Sequence, residues 1–151
     1  MIVGLIADTH GRLPPTVHAV MAGVERIIHA GDVGGQEVLD ELETIAPVVA
    51  IRGNMDSGAL AWRLQEQAVV RLGDHRILVR HIGRTLEPSD GLAGVDVVVV
   101  GHTHRASIER RGDVLFVNPG AAGGEPRDDR GATCALLDLS GDRPEARIVE
   151  L

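Results

Sequence analysis

The chain has no lysine and no tyrosine, and only one cysteine, one tryptophan and one phenylalanine among 151 residues. Each scarcity removes a class of chemistry. All 15 basic residues are arginine, so Schiff-base and lysine-nucleophile mechanisms are excluded. A single cysteine excludes an internal disulfide framework and a thiolate zinc knot. Cys134 lies in the apolar run ATCALLDL, where a buried, inert thiol is expected. With 1% aromatic residues a platform for stacking nucleic-acid bases is not expected, and a formal charge of −7 opposes binding driven by phosphate neutralisation. No apolar run reaches the roughly 18 residues of a membrane span. The opening MIVGLIADTHG lacks the basic segment and cleavage site of a secretory signal and reads as a strand, so a cytoplasmic location is expected.

What remains is a core of Val, Leu, Ile and Ala in a chain long enough to fold as one domain, residues 1–151. The apolar runs are short and rich in Val and Ile, as buried strands are. Ile2 to Ala7 is followed by a helix from Pro14 to about Gly23; Arg26 to Ala30 by a second helix through VLDELETI; then comes VVAIR. This is β-α-β-α-β, the pattern of a parallel sheet. The second half is mainly β: AVVRLG with HRILVRH, then VDVVVV, then hairpins turning at Arg111-Gly112-Asp113 and Ser140-Gly141-Asp142. Two sheets packed face to face, with helices outside, are expected.

The positions at which these runs stop carry the functional signal. Five of them end at Asp8/His10, Asp32, Asn54, His81 and His102/His104, and Gly31, Gly53 and Gly101 stand directly before three of those groups. In α/β sheets, ligands bind beyond the carboxyl ends of the strands. Four imidazoles, two carboxylates and one amide oxygen therefore collect on one rim. That mixed nitrogen and oxygen set suits Mn, Fe, Zn, Co or Ni, and does not suit calcium. Seven donors exceed the need of one ion and match two, with Asp32 the natural bridge. The alternate spacing in Asp8-Thr9-His10 and His102-Thr103-His104 puts each pair on one side of an extended segment.

In order, Asp8-Thr9-His10, Gly31-Asp32, Gly53-Asn54-Met55-Asp56, His81 and Gly101-His102-Thr103-His104 resemble the motifs of the calcineurin-like metallophosphoesterases. Asn118-Pro119-Gly120 and Pro126-Arg127 are similar to a segment of the small bacterial and archaeal phosphodiesterase branch. The resemblance implies a metallo-dependent phosphatase fold, a four-layer αββα sandwich of two mixed β-sheets flanked by helices. It implies one metal held by Asp8, His10, Asp32 and His104, and a second held by Asp32, Asn54, His81 and His102. Mn²⁺ is the first choice, with Ni²⁺, Fe, Co²⁺, Zn²⁺ or Mg²⁺ as alternatives. The expected reaction is hydrolysis of a small organic phosphodiester by a metal-bridging hydroxide, with Asp32, Asn54 and His102 acting through the ions and no protein nucleophile. Two divalent ions against Asp8 and Asp32 would leave about two positive charges for the phosphoryl group.

Three positions depart from the usual family pattern. Met55 stands where many relatives carry a histidine thought to protonate the leaving group, which disfavours basic leaving groups. The usual His-Gly-His is His81-Ile82-Gly83, and Ala121 replaces a serine after Asn118-Pro119-Gly120. Asp56 is a candidate either for catalysis or for orienting the Asn54 loop. Arg84 and Arg127 are candidates for clamping phosphate oxygens, against a plain role as solvated surface charge. His18 and His75 read as structural or exposed, and His29 as a buried support to the site. The competing functions are a phosphomonoesterase or nucleotidase on the same site, or a protein-binding scaffold of the same fold, as in a retromer subunit whose metal site is degraded. No nucleic-acid-binding domain or membrane association is expected; a homodimer or homotetramer is.

Overall fold

The valine and isoleucine runs pair as two mixed sheets of five strands each. The computed structural model describes residues 1–83 and 92–151. In the first sheet β1 (Ile2–Ile6), β2 (Arg26–His29) and β3 (Val48–Ala50) are parallel, joined through α1 (Thr16–Val20) and α2 (Gln36–Glu43). The other sheet begins with β4 (Gln67–Leu72), β5 (His75–Arg80) and β6 (Val97–Val99), and is completed by β7 (Ser107–Arg111) and β8 (Val114–Asn118). The chain then returns to the first sheet as β9 (Thr133–Asp138) and β10 (Glu145–Glu150), giving orders β10-β9-β1-β2-β3 and β4-β5-β6-β8-β7. Strands β5, β6 and β8 run parallel, with antiparallel β4 and β7 at the edges.

Alternation along the strands builds the layers. Val3, Leu5 and Ile28 from the first sheet meet Ile77, Val79, Val97, Val99, Leu115 and Val117 from the second in one buried cluster. The opposite faces of β1 and β2 send Ile6 and Ile27 against Val17 and Met21 of the α1 region and Val38, Leu39 and Leu42 of α2. Each fully buried side chain of this size contributes about 1.5–3 kcal/mol, so these two interfaces fix which ends of the strands come together.

One detail differs from the sequence expectation. A third helix, α3 (Gly58–Arg63), follows the Asn54 loop; none of its residues is buried, although Leu60 leans on the core beneath the helices. The described helices pack on the first sheet. The outer face of the second sheet carries Leu78, Val98 and Phe116 with Leu92 and Val95. Among the described residues no helix is long and apolar enough to cross a membrane.

Candidate metal centre

The carboxyl ends of β1, β2 and β3 meet those of β5 and β6 at one rim, stitched by Asp8 N–H to Gly31 O (3.0 Å) and Gly101 N–H to His81 O (3.0 Å). Here the backbone leaves ordinary conformational space. Among the described residues the non-glycine residues with positive φ are Asp8 (52°), His10 (46°), Asp32 (53°), His102 (72°) and His104 (58°). Each costs on the order of 1 kcal/mol or more. All five belong to the donor set read from the strand ends, and strain of this kind persists where surrounding contacts over-determine the backbone for a purpose. The expectation of extended Asp-x-His and His-x-His segments is thereby corrected. The left-handed turns send His102 and His104 to different partners, because the strands have already ended.

Tight approach explains the glycines. A Cβ on Gly53 would occupy the space of the Asp32 carboxylate and backbone nitrogen, and one on Gly31 would come within 2.8 Å of His81 Nδ1. The Asp32, Asn54 and His81 loops can converge only if both positions lack a side chain.

The donors fall into two groups, Asp8 with His10 and His104, and Asp32 with His81 and His102. Asp8 Oδ1 lies 3.4 Å from His104 Nε2 and 3.8 Å from His10 Nε2. Asp32 Oδ2 lies 3.1 Å from His81 Nε2 and 3.8 Å from His10 Nε2, and so faces both groups. Asn54 Oδ1 completes the second group, 3.0 Å from His102 Nδ1. The tautomers follow from the outer hydrogen bonds. His81 Nδ1–H donates to Ala30 O (2.7 Å) and His104 Nδ1–H to Glu125 O (2.8 Å), which leaves each Nε2 lone pair directed inward. Asp8 Oδ1 and His81 Nε2 are buried with no hydrogen-bond partner. Buried acceptors converging without donors are unfavourable unless a cation joins them. The donor set therefore fits divalent metal.

Charge is poised accordingly. Burial pushes the Asp8 carboxyl above its usual range, outweighing the nearby His81 and His104. For Asp32 burial is overcome by His81 and the Met55 N–H (2.8 Å to Oδ1), and its pKa is lowered. Burial opposes charge on His81 as well, but the Asp32 carboxylate wins and raises its pKa above 6.5. A proton on His81 competes with metal. Titrating chelator-stripped protein with Mn²⁺ from about pH 8 to about pH 6 should therefore show affinity falling as His81 protonates, with proton release on binding. Affinity flat across that range would contradict the assignment.

The supporting residues make specific contacts. Asp56 accepts three backbone N–H groups, from Gly53 (2.8 Å), Val33 (3.2 Å) and Gly34 (3.0 Å), and so ties the Asn54 loop to the Asp32 loop. His29 is fully buried, accepts the Gly31 N–H at Nδ1 and meets Thr9 Oγ1 at 2.9 Å, while Thr9 donates to Val33 O. Burial brings its pKa down to about 4. Asn118, at the end of β8, donates to Gly101 O and to Thr103 Oγ1, each at 3.0 Å, and accepts the Gly120 N–H. It thereby holds the turn that presents His102 and His104. His18 pairs with Glu41 and His75 faces Asp96, both away from the site. Cys134 is buried beneath the helices, its thiol pushed up to about 12 by burial.

A cavity of about 540 Å³ opens over the donors, bounded by His10, His102, Met55 and two arginines, Arg12 and Arg127. Arg127 is exposed, and its backbone N–H is bonded to His104 O (2.9 Å). Arg12 was not foreseen from the sequence; nothing marks one arginine among 15 except its place two residues after His10. Arg84 lies outside the described residues.

Carboxylates, imidazoles and an amide gathered at the carboxyl ends of two facing sheets define a metal-dependent hydrolase type of centre. The calcineurin-like phosphoesterase superfamily domain matches residues 1–142, and the chain belongs to that superfamily. It is 34% identical to a probable metallophosphoesterase of Methanocaldococcus jannaschii, over 100% of this chain and 82% of the relative. It is 30% identical to a phosphodiesterase of the same organism, over 80% of this chain and 83% of the relative. Its fold is similar to that of an archaeal phosphodiesterase (TM-score 0.79, 26% identity, 99% of this chain and 100% of that one). It is also similar to Vps29 of Entamoeba histolytica (TM-score 0.75, 24% identity, 100% of this chain and 99% of that one), a likeness of fold alone.

Proposed function

We propose that the chain is a dinuclear metal-dependent phosphodiesterase acting on small organic phosphodiesters. The observation that carries this reading is the pair of converging donor groups with unpartnered buried acceptors. Asp8, His10 and His104 would hold one ion, and His81, His102 and Asn54 the other, with Asp32 facing both; Mn²⁺ suits the mixed donors. Two such cations would supply the Lewis acidity and the activated water that the side chains lack. The protein's own part is positioning. Arg12 and Arg127 border the cavity on which the phosphoryl oxygens would lie. The Thr9 hydroxyl is already engaged with His29 and Val33, and the Cys134 thiol is remote, so neither is a nucleophile. Met55, 67% exposed at the cavity wall, has no proton to give to a leaving group. Esters of acidic alcohols are therefore the faster substrates.

The scaffold reading rests on the Vps29 likeness in fold. It is disfavoured by a donor set in which all seven positions hold a competent ligand. The test is turnover of bis(p-nitrophenyl) phosphate and its monoester by protein stripped of metal and reloaded with Mn²⁺. The expected result is no turnover without metal and faster diester than monoester cleavage with it. Faster monoester cleavage would favour a phosphomonoesterase, and two bound metals with neither substrate cleaved would favour the scaffold.

A further inference from the structure

A second cavity, of about 500 Å³, runs from the metal centre along the outer face of the second sheet. That volume is of the size that takes a small organic ligand. The two cavities are continuous in their walls, since His102 and Arg127 line both. Its floor is apolar: Ile82, Val100 and Phe116. Position 83 matters to its depth. Gly83 brings no side chain to it, and a Cβ there would lie 2.6 Å from Val100 Cγ1. A side chain at this position would press on the floor. Ile82, 37% exposed, adds an apolar surface at its edge.

The far wall is cationic. The Arg111 guanidinium lies 4.4 Å from the centre of the Phe116 ring and is paired to Glu109 (2.9 Å). Together they form a flat surface with a fixed orientation. Among the described residues that line the groove, Arg105, Arg111 and Arg127 outnumber one acid, Glu109, in a chain of formal charge −7. An anionic phosphoryl group at the donors with a flat apolar substituent along Val100 and Phe116 satisfies both halves of this surface.

We infer that the groove from His102 to Phe116 is a substituent site, and that the phosphodiesters turned over at the metal centre carry a flat apolar organic group of phenyl size or larger. The inference rests on the proposed phosphodiesterase reading and extends it to substrate class. It predicts discrimination by the group attached to phosphorus, whatever the leaving-group chemistry.

Two non-hydrolysable probes separate the claims, methylphosphonate and phenylphosphonate, titrated calorimetrically into Mn²⁺-loaded protein. Phenylphosphonate is expected to bind about tenfold tighter or more, from burial of one ring. Ser107→Phe, at an exposed β7 position on the groove wall, should remove that preference while leaving methylphosphonate affinity unchanged. Ile108→Phe places the same ring on the same strand outside the groove, and should keep the preference. Equal affinity for the two probes, or a preference that survives Ser107→Phe, would overturn the substituent site and leave the phosphodiesterase reading standing. Failure of both probes to bind would overturn the substituent site and the phosphodiesterase reading together.

Discussion

Asp32→Asn is expected to lower Mn²⁺-dependent diester cleavage about a thousandfold or more, while leaving the metal-free protein folded. The substitution keeps the shape of the side chain and an oxygen to accept the Met55 N–H, the bond that Asp32 Oδ1 makes at 2.8 Å. It changes the atom that faces both donor groups. Asp32 Oδ2, 3.1 Å from His81 Nε2 and 3.8 Å from His10 Nε2, would become an amide nitrogen. Its hydrogens would point at imidazole lone pairs, and a negative charge between two cation positions would be lost. Bound metal should fall from two ions to one or none by elemental analysis, and metal-free melting should move little. Two tightly bound ions with cleavage within about tenfold of the parent would contradict the proposed role of Asp32 between the two donor groups.

Much of this arrangement is legible in the sequence because the strands are buried on both faces. Buried parallel strands read as continuous Val and Ile runs, and each run ended by a ligand residue locates the same rim. The glycines before Asp32, Asn54 and His102 are legible for a related reason, since they stand where the structure leaves no room for Cβ. The positive φ values at five of the donors are not legible, because aspartate and histidine do not advertise a left-handed conformation as glycine does. Helix α3 is invisible for lack of a buried face: GALAWR buries no residue, and Trp62 is 89% exposed, so no amphipathic period exists to be read. The supports are hidden for another reason. Thr9 with His29, and Asn118 with Gly101 and Thr103, are pairings across 15 or more residues of chain in which neither partner is distinctive alone. Asp56 shows the limit in a single residue, since its spacing allows an acid or base and only its three N–H partners reveal a clamp.

Asp8→Asn is expected to stabilise the metal-free protein and to weaken its stabilisation by metal, so that the order of the two proteins inverts when Mn²⁺ is added. Asp8 is fully buried; its Oδ2 accepts the His102 N–H at 3.0 Å, but its Oδ1 has no donor. Burial raises its pKa above the unfolded value of 3.8. The folded chain thus binds a proton that the unfolded chain releases, and stability falls as pH rises from 3.8 through the raised value, remaining low above it. In its ionised form the buried carboxylate is a liability that a bound cation relieves. Asparagine cannot ionise, its oxygen can still accept the His102 N–H, and its amide can donate toward the inward lone pairs of His104 and His81. The gain in the metal-free state should be on the order of 1–3 kcal/mol, which for a chain of this size is several degrees in melting temperature. Added Mn²⁺ stabilises a protein only as far as it binds; the parent should therefore overtake the variant as the metal concentration rises, whereas the variant, left with the Asp32, His81 and His102 group alone, should gain less. Thermal unfolding of both proteins with chelator and with Mn²⁺, near neutral pH and again near pH 4, reads every part of this. A metal-free variant less stable than the parent at neutral pH would mean that the buried carboxylate is satisfied by the protein alone. The unpartnered Oδ1 would then no longer argue for metal.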